Sequence, residues 1–181
     1  TTVCSVALHE GDKLLAMAEV HLGYSHGSKL AILINEVMMA GDTEMDELSA
    51  IAVSSGPGSY TGLRIGTSTA KGLCYALSVP IIAVGSLEVL AAQVEKCNVT
   101  KAWLCPMIDA RRMEVYCRLT DAEGNVIQPV EARIIDEKSF EEYLEQTPII
   151  FFGDGAGKCQ SVIKHKNALF ISGITPSAAQ L

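Results

Sequence analysis

A chain of 181 residues is long enough for one large domain or two small ones, and 49% hydrophobic with 19% charged residues marks a folded, core-forming protein rather than a disordered one. Fourteen Lys and Arg against 21 Asp and Glu leave a net charge of −7 with no basic run, which excludes a chain that holds a phosphate backbone by itself. No run of about 18 apolar residues is present to span a bilayer and the opening residues do not read as a signal peptide, so a cytoplasmic protein is expected.

In chain order, residues 3–10 and 13–20 flank Gly11-Asp12 and predict a β-hairpin. After His26-Gly27, with Ser25 or Ser28 as cap, a helix runs to Ala40 and stops at Gly41. Leu30, Leu33, Ile34, Val37 and Met38 form its apolar stripe, yet Ala31, Ile32, Met39 and Ala40 are apolar too. Such a helix either lies between two layers or offers a second apolar face to a partner. The β-branched run 51–53 stops at Gly56-Pro57-Gly58, Ser59 or Thr61 caps a helix to Leu77, and a strand follows at 81–84. Strand, glycine turn, helix and strand together predict a crossover unit of a parallel sheet. Ser86 caps a further helix (87–96), and the polar link 98–101 divides the chain into expected domains 1–97 and 98–181.

The second half predicts strands at 102–108 and 114–120, an extended stretch at 126–135, a short helix at 139–145 and a strand at 149–152. A turn at Gly153-Asp154-Gly155 opens a helix expected to reach about His165, followed by a strand at 168–171 and the start of a helix at 176–181. The plan of hairpin, helix and strand recurs between the halves without residue-by-residue similarity. The six cysteines (4, 74, 97, 105, 117, 159) include no Cys-x-x-Cys and sit mostly in apolar runs, so free thiols are expected rather than disulfides or zinc.

The helix 61–77 is unusual. Gly62, Gly66 and Gly72 lie inside it, each costing about 1 kcal/mol relative to alanine. Gly62, Gly66 and Ala70 are four apart and make a flat strip where another backbone comes close, either the domain's own sheet or a partner. The glycine loop before it, with Gly56, Gly58, Ser59 and Thr61, offers N–H groups to a phosphate. Neither Gly-Lys-[Ser/Thr] nor Gly-x-Gly-x-x-Gly is present, so no nucleotide fingerprint is met.

Three motifs stand together: Ser55-Gly-Pro-Gly-Ser-Tyr-Thr-Gly-Leu-Arg-Ile-Gly66, Ile108-Asp-Ala-Arg-Arg-Met-Glu-Val-Tyr116 and Gly153-Asp-Gly-Ala156. The combination resembles the TsaB (YeaZ) family, whose members are needed for threonylcarbamoylation of the adenosine next to the tRNA anticodon. The resemblance implies an α/β protein of actin/hexokinase-like (ASKHA) fold, two RNase-H-like domains with the second reduced. It also implies that a strand ending in a Thr-rich turn precedes Thr1-Thr2, and that the family's last helices lie beyond Leu181.

The chemistry expected of such a chain is not catalytic. The related TsaD carries a His-x-x-x-His metal pair on the first helix, whereas here His26 is followed by Leu30, so no metal site and no catalytic residue is expected. A Gly-x-Ser-x-Gly elbow is absent as well. Asp109, Arg111, Arg112 and Glu114 sit at a strand-turn-strand corner where the superfamily holds phosphate, with Gly153 and Gly155 as further candidate phosphate contacts; they suit ATP or ADP with Mg at a partner interface, or a salt-bridged turn. The resemblance implies a scaffold that pairs with TsaD through helices 28–40 and 61–77 and works with the ATPase TsaE. Leu30, Leu33, Ile34, Val37, Gly62, Arg64, Gly66, Ala70 and Leu73 are the expected contacts, and the same face would close a homodimer in the partner's absence. tRNA would be reached through the complex alone. The alternative is an ATP-dependent phosphotransferase or a peptidase on the same fold.

Overall fold

Gly11 at φ 56° turns the chain between β1 (Cys4–Glu10) and β2 (Lys13–Val20), an antiparallel pair with a bulge between Leu8 and His9. The computed structural model describes residues 3–21 and 26–181, and the side chains of all of these except 26 and 28. The expected caps Ser25 and Ser28, the imidazole of His26, and Thr1-Thr2 fall outside the described residues. The helix α1 (His26–Ala40) packs on the hairpin. It stops where Gly41 N–H returns to Val37 O at 3.0 Å, and Leu8 Cδ2 fills the place of a Gly41 side chain. Leu8, Val37 and Met38 form this corner's core.

The crossover is present as β3 (Ile51–Gly56), α2 (Tyr60–Leu77) and β4 (Ile81–Gly85), with β3 and β4 parallel from Ile51↔Ile81 onward. Of the two candidate caps, Ser59 is the one used: its Oγ accepts from Gly62 N–H. Ser78, left-handed at φ 58°, ends the helix. Next comes α3 (Ser86–Glu95); Ser86 is its first residue rather than an outlying cap, because its buried Oγ is bonded to Ser54 Oγ at 2.6 Å.

The chain divides into two compact units, residues 1–89 with 176–181, and residues 90–175, the division falling within α3. In the first, β1–β2 and β3–β4 are separate two-stranded sheets. A cleft of ≈ 860 Å3 lies between β1 and β3 and is bordered by α1, α2 and a 3-10 turn at Ala178–Gln180.

The second unit is built on one five-stranded sheet of β5 (Trp103–Asp109), β6 (Glu114–Thr120), β7 (Val126–Ile134), β8 (Ile149–Phe152) and β9 (Ala168–Ile171), in the order β7-β6-β5-β8-β9. β5 is antiparallel to β6 and parallel to β8, and β8 is parallel to β9. β5 and β8 are nearly continuous apolar runs, as befits strands buried on both faces. A core of Phe140, Phe151, Met107, Val115 and Leu119 closes around them, with Phe140 edge-on to Phe151 at 5.3 Å. The short helix α4 (Glu141–Leu144) precedes β8. The helix expected to reach His165 is a single turn, α5 (Ala156–Cys159). Gly157 weakens it, and β-branched Val162 and Ile163 instead fold their N–H groups back to Cys159 O as the chain leaves. All six cysteines are free thiols.

Candidate functional site

In the first unit, α2 presents two different faces. The small-residue strip turns toward the unit's own interior: a Cβ on Gly66 would meet Val53 Cγ2 of β3 at 3.7 Å, and Ala70 is buried. With Gly62 and Leu73, these residues border the cleft, as do Leu30, Ile34 and Val37 of α1. Leu33 is buried. The strip thus faces β3 at Gly66 through an ordinary side-chain contact with Val53, while a Cβ on Gly62 would meet only Ser59 at the helix's own cap.

The opposite stripe of α2 carries Tyr60, Arg64, Ser68, Lys71 and Tyr75, spaced for one helical face and all exposed. Tyr75 is 91% exposed and Tyr60 74%. Arg64 lies over the Tyr60 ring, its Cζ 5.4 Å from the centroid. The outward stripe of α1 holds Ile32, Asn35, Glu36 and Met39, with Met39 81% exposed. The two helices meet where Gly27 faces Ile65 Cδ1, at 3.6 Å from an ideal Cβ. Of the expected partner contacts, Arg64 is the one on the outward stripes; Ile32, Met39, Tyr60 and Tyr75 were not among them. The signal for Ile32 and Met39 was present in the excess apolar surface of 31–40, which the pattern alone did not orient; Tyr60 and Tyr75 carried none.

The loop ahead of α2 folds onto that helix. A Cβ on Gly56 would stand 3.2 Å from Leu63 Cδ1, and Gly58 lies against the same side chain. Ser59 and Thr61 are exposed. No charged side chain closes on this loop among the described hydrogen bonds.

The second unit brings Asp109, Arg111, Gly153 and Gly155 together, and adds two residues that the motif left unassigned, Asp154 and Lys158. Asp109 ends β5; its Oδ1 accepts from Arg111 N–H at 2.9 Å, and its own N–H donates to Asp154 Oδ1 at 3.0 Å. Lys158 Nζ, on the one turn of α5, donates to Asp109 Oδ1, to Glu114 O at 2.7 Å and to Arg111 O at 3.4 Å. Burial pushes the Asp109 carboxyl up, but the Lys158 ammonium and the Arg111 N–H outweigh it and hold it below the usual value. Arg111 and Arg112 are both left-handed, at φ 70° and 44°, and both exposed. Gly153 at φ 100° and Gly155 pass so close to β5 that Cβ atoms there would sit 2.2 Å from Met107 O and 2.9 Å from Ile108 C. The corner is thus a clamped turn that displays two guanidiniums on a strained backbone, the kind of segment that accumulates at ligand sites. Among the described residues no group of three His, Cys, Asp or Glu is placed to hold a metal ion.

Comparison with known proteins gives a consistent affiliation. Residues 22–172 match the family model described as TsaD, tRNA N6-adenosine threonylcarbamoyltransferase. The tRNA threonylcarbamoyladenosine biosynthesis protein TsaB of Bacillus subtilis is 31% identical over 181 residues, covering 97% of this chain and 76% of that protein. TsaB of Escherichia coli is 33% identical over 116 residues, 64% of this chain, and the chain spans about half of that relative's length, 49%. A solved structure of YeaZ from Pseudomonas aeruginosa superposes with a TM-score of 0.79 at 24% identity, covering 99% of this chain and 84% of that one; the likeness extends to the fold. The expectation of a mixed α/β protein of this family holds, and the chain belongs to the TsaB (YeaZ) family of tRNA threonylcarbamoyladenosine biosynthesis proteins.

Proposed function

We propose that this chain is a non-catalytic scaffold in threonylcarbamoylation of the adenosine adjacent to the tRNA anticodon, acting in the cytoplasm by heterodimerising with a TsaD-like catalytic subunit and working with a TsaE-like ATPase. The architecture is read as actin/hexokinase-like, two RNase-H-like domains (1–97 and 98–181) with the second reduced. The observation that carries the reading is the pair of outward stripes on α1 and α2: Ile32, Met39, Tyr60 and Tyr75 are large, apolar or aromatic, and exposed on a protein of net charge −7. Exposed aromatic and Met side chains beside an Arg are the composition of a protein interface. The partner would supply the metal, the reacting groups and the basic surface that tRNA requires. Without the partner the same stripes close a homodimer.

Asp109, Arg111 and Arg112 favour a second element of the reading, in which ADP or ATP with Mg lies at the partner interface near the clamped turn, with the glycine loop Gly56–Gly58–Ser59–Thr61 as a further phosphate contact. The phosphotransferase or peptidase alternative differs in an accessible way. Reconstitution of TsaD, TsaE, a threonylcarbamoyl donor and tRNA with and without this chain tests the proposal. Modification that depends on the chain, together with no nucleotide turnover by the chain alone, is expected. Turnover by the isolated protein would overturn the scaffold reading.

A further inference from the structure

The five-stranded sheet of the second unit ends on β7, which is hydrogen-bonded to β6 along one edge and to no described strand along the other. Unpaired N–H and C=O groups on such an edge template further pairing, and natural edges are blunted by charge, proline or bulges. The first half of β7 has two of these devices, Pro129 and a slip in register between Gln128 and Glu131. Residues 130–134 have neither, and Val130 is 50% exposed and Ile134 74%.

Strand parity decides what this stretch offers. Ile135 N–H donates to Met113 O at 2.8 Å, and Arg133 and Glu131 oppose Val115 and Cys117 in the same register, so the odd residues turn their backbone groups to β6. Val130, Ala132 and Ile134 turn theirs to the outer edge, where none of the described hydrogen bonds meets them. Asp136, just beyond, has its N–H taken by Ser139 Oγ at 2.9 Å. Between that residue and Pro129 the usable edge is centred on Ala132.

This edge is complementary to itself. Antiparallel pairing about a two-fold axis at Ala132 opposes Ala132 to its own copy and Val130 to the second copy's Ile134, making three hydrogen-bonded pairs of two bonds each. On one face Val130, Ala132 and Ile134 meet their counterparts as apolar cross-strand pairs. On the other face Glu131 stands opposite the second copy's Arg133, on both sides of the axis, at non-hydrogen-bonded positions where side chains come closest. Within one chain these two residues already approach to 3.7 Å, with the Arg133 guanidinium over the Phe140 ring. Moving the axis to Val130 or Ile134 would bring in Pro129 or the occupied Asp136 N–H and would part Glu131 from Arg133.

We infer that β7 is a self-association strand: its 130–134 edge pairs antiparallel with the same edge of a second copy about Ala132, joining two sheets into one. The contact uses no residue of α1 or α2.

The test combines sedimentation equilibrium with site-resolved amide exchange. The protein is expected to associate reversibly, and between dilute and concentrated solution the amides of Val130, Ala132 and Ile134 slow at least about 10-fold, while those of Glu131 and Arg133, already bonded to β6, do not. Ala132→Pro removes the N–H at the axis without touching a bond to β6, and should weaken association at least about 10-fold with Tm unchanged. Glu131→Arg opposes like charges and should weaken it similarly, whereas Glu131→Arg combined with Arg133→Glu restores it. Tyr75→Lys, on α2, should leave the protection in place. A monomer at millimolar concentration, association indifferent to Ala132→Pro, no recovery in a folded charge-swap protein, or protection lost with Tyr75→Lys would overturn the inference. If Ala132→Pro does not fold, Val130→Lys, at an exposed side chain, is read in its place with the same expected and contrary results.

Discussion

Replacing Gly153 by alanine tests the clamp at the candidate site. At φ 100° the backbone is in a region that L-residues avoid, and a Cβ would stand 2.2 Å from Met107 O and 3.3 Å from Leu90 Cδ1. The Met107 carbonyl would have to retreat by about 1 Å to reach van der Waals distance. That carbonyl accepts from Gly155 N–H at 3.1 Å, so the retreat costs the bond that seats the Gly153–Gly155 turn on β5. Backbone strain of about 1–3 kcal/mol and a lost hydrogen bond of about 1 kcal/mol sum to roughly 2–4 kcal/mol. For a chain of this size, that lowers Tm by roughly 5–15 °C. Gly157→Ala is the matched control: nothing lies within 4 Å of its Cβ, and it sits in a helix, so a neutral or slightly stabilising effect of up to about 1 kcal/mol is expected. Thermal unfolding followed by near-UV circular dichroism reads both. A Gly153→Ala protein as stable as Gly157→Ala would refute the close approach to Met107.

Further outcomes follow from the same corner and from the thiols. The folded-state pKa of Asp109 lies below the ordinary 3.8, so its contribution is complete above that value and is lost as pH falls through the lower one. Nearly half of its side chain is exposed, at 48%, which keeps the contribution under about 1 kcal/mol; Asp109→Asn should flatten the stability profile below about pH 4 and leave it unchanged in slope above. Lys158→Met removes the donor to Asp109, Arg111 O and Glu114 O and should cost about 1–2 kcal/mol by urea unfolding; an unchanged midpoint would mean that the ammonium is not held there. Burial pushes the Cys159 thiol up to about 11, and Cys4, Cys105 and Cys117 are also buried whereas Cys97 is exposed. At pH 8, a disulfide reagent should label Cys97 promptly and the four buried thiols on unfolding; prompt labelling of Cys159 would contradict the closed core.

Much of the architecture was legible because glycine and proline punctuate it. Gly11, Gly41 and Gly56-Pro57-Gly58 mark ends that the structure retains, and the β-branched run at 51–53 and the isoleucine–phenylalanine run at 149–152 left little choice of element. The site was less legible, for two physical reasons. Lys158 reaches Asp109 across 49 residues and Glu114 across 44, a juxtaposition made by sheet order rather than by local pattern. The strip Gly62, Gly66 and Ala70 announces a neighbour without naming it; at Gly66 that neighbour is Val53 of β3, and the outward stripe of α2 follows only once the inward one is fixed. The helix after Gly155 was overextended because the apolar residues 162 and 163, although at helical spacing from Cys159, turn back after one turn.

The central claim, that the outward stripes of α1 and α2 receive a TsaD-like subunit, is tested most directly by titrating the TsaD of the same organism against this protein and its Met39→Lys and Tyr75→Lys variants. Each variant is expected to bind at least about 10-fold more weakly, about 1.4 kcal/mol, with an unchanged Tm, because both side chains are exposed in the unpartnered protein. Binding by both variants as tight as that of the parent, or no binding by the parent at all, would contradict it.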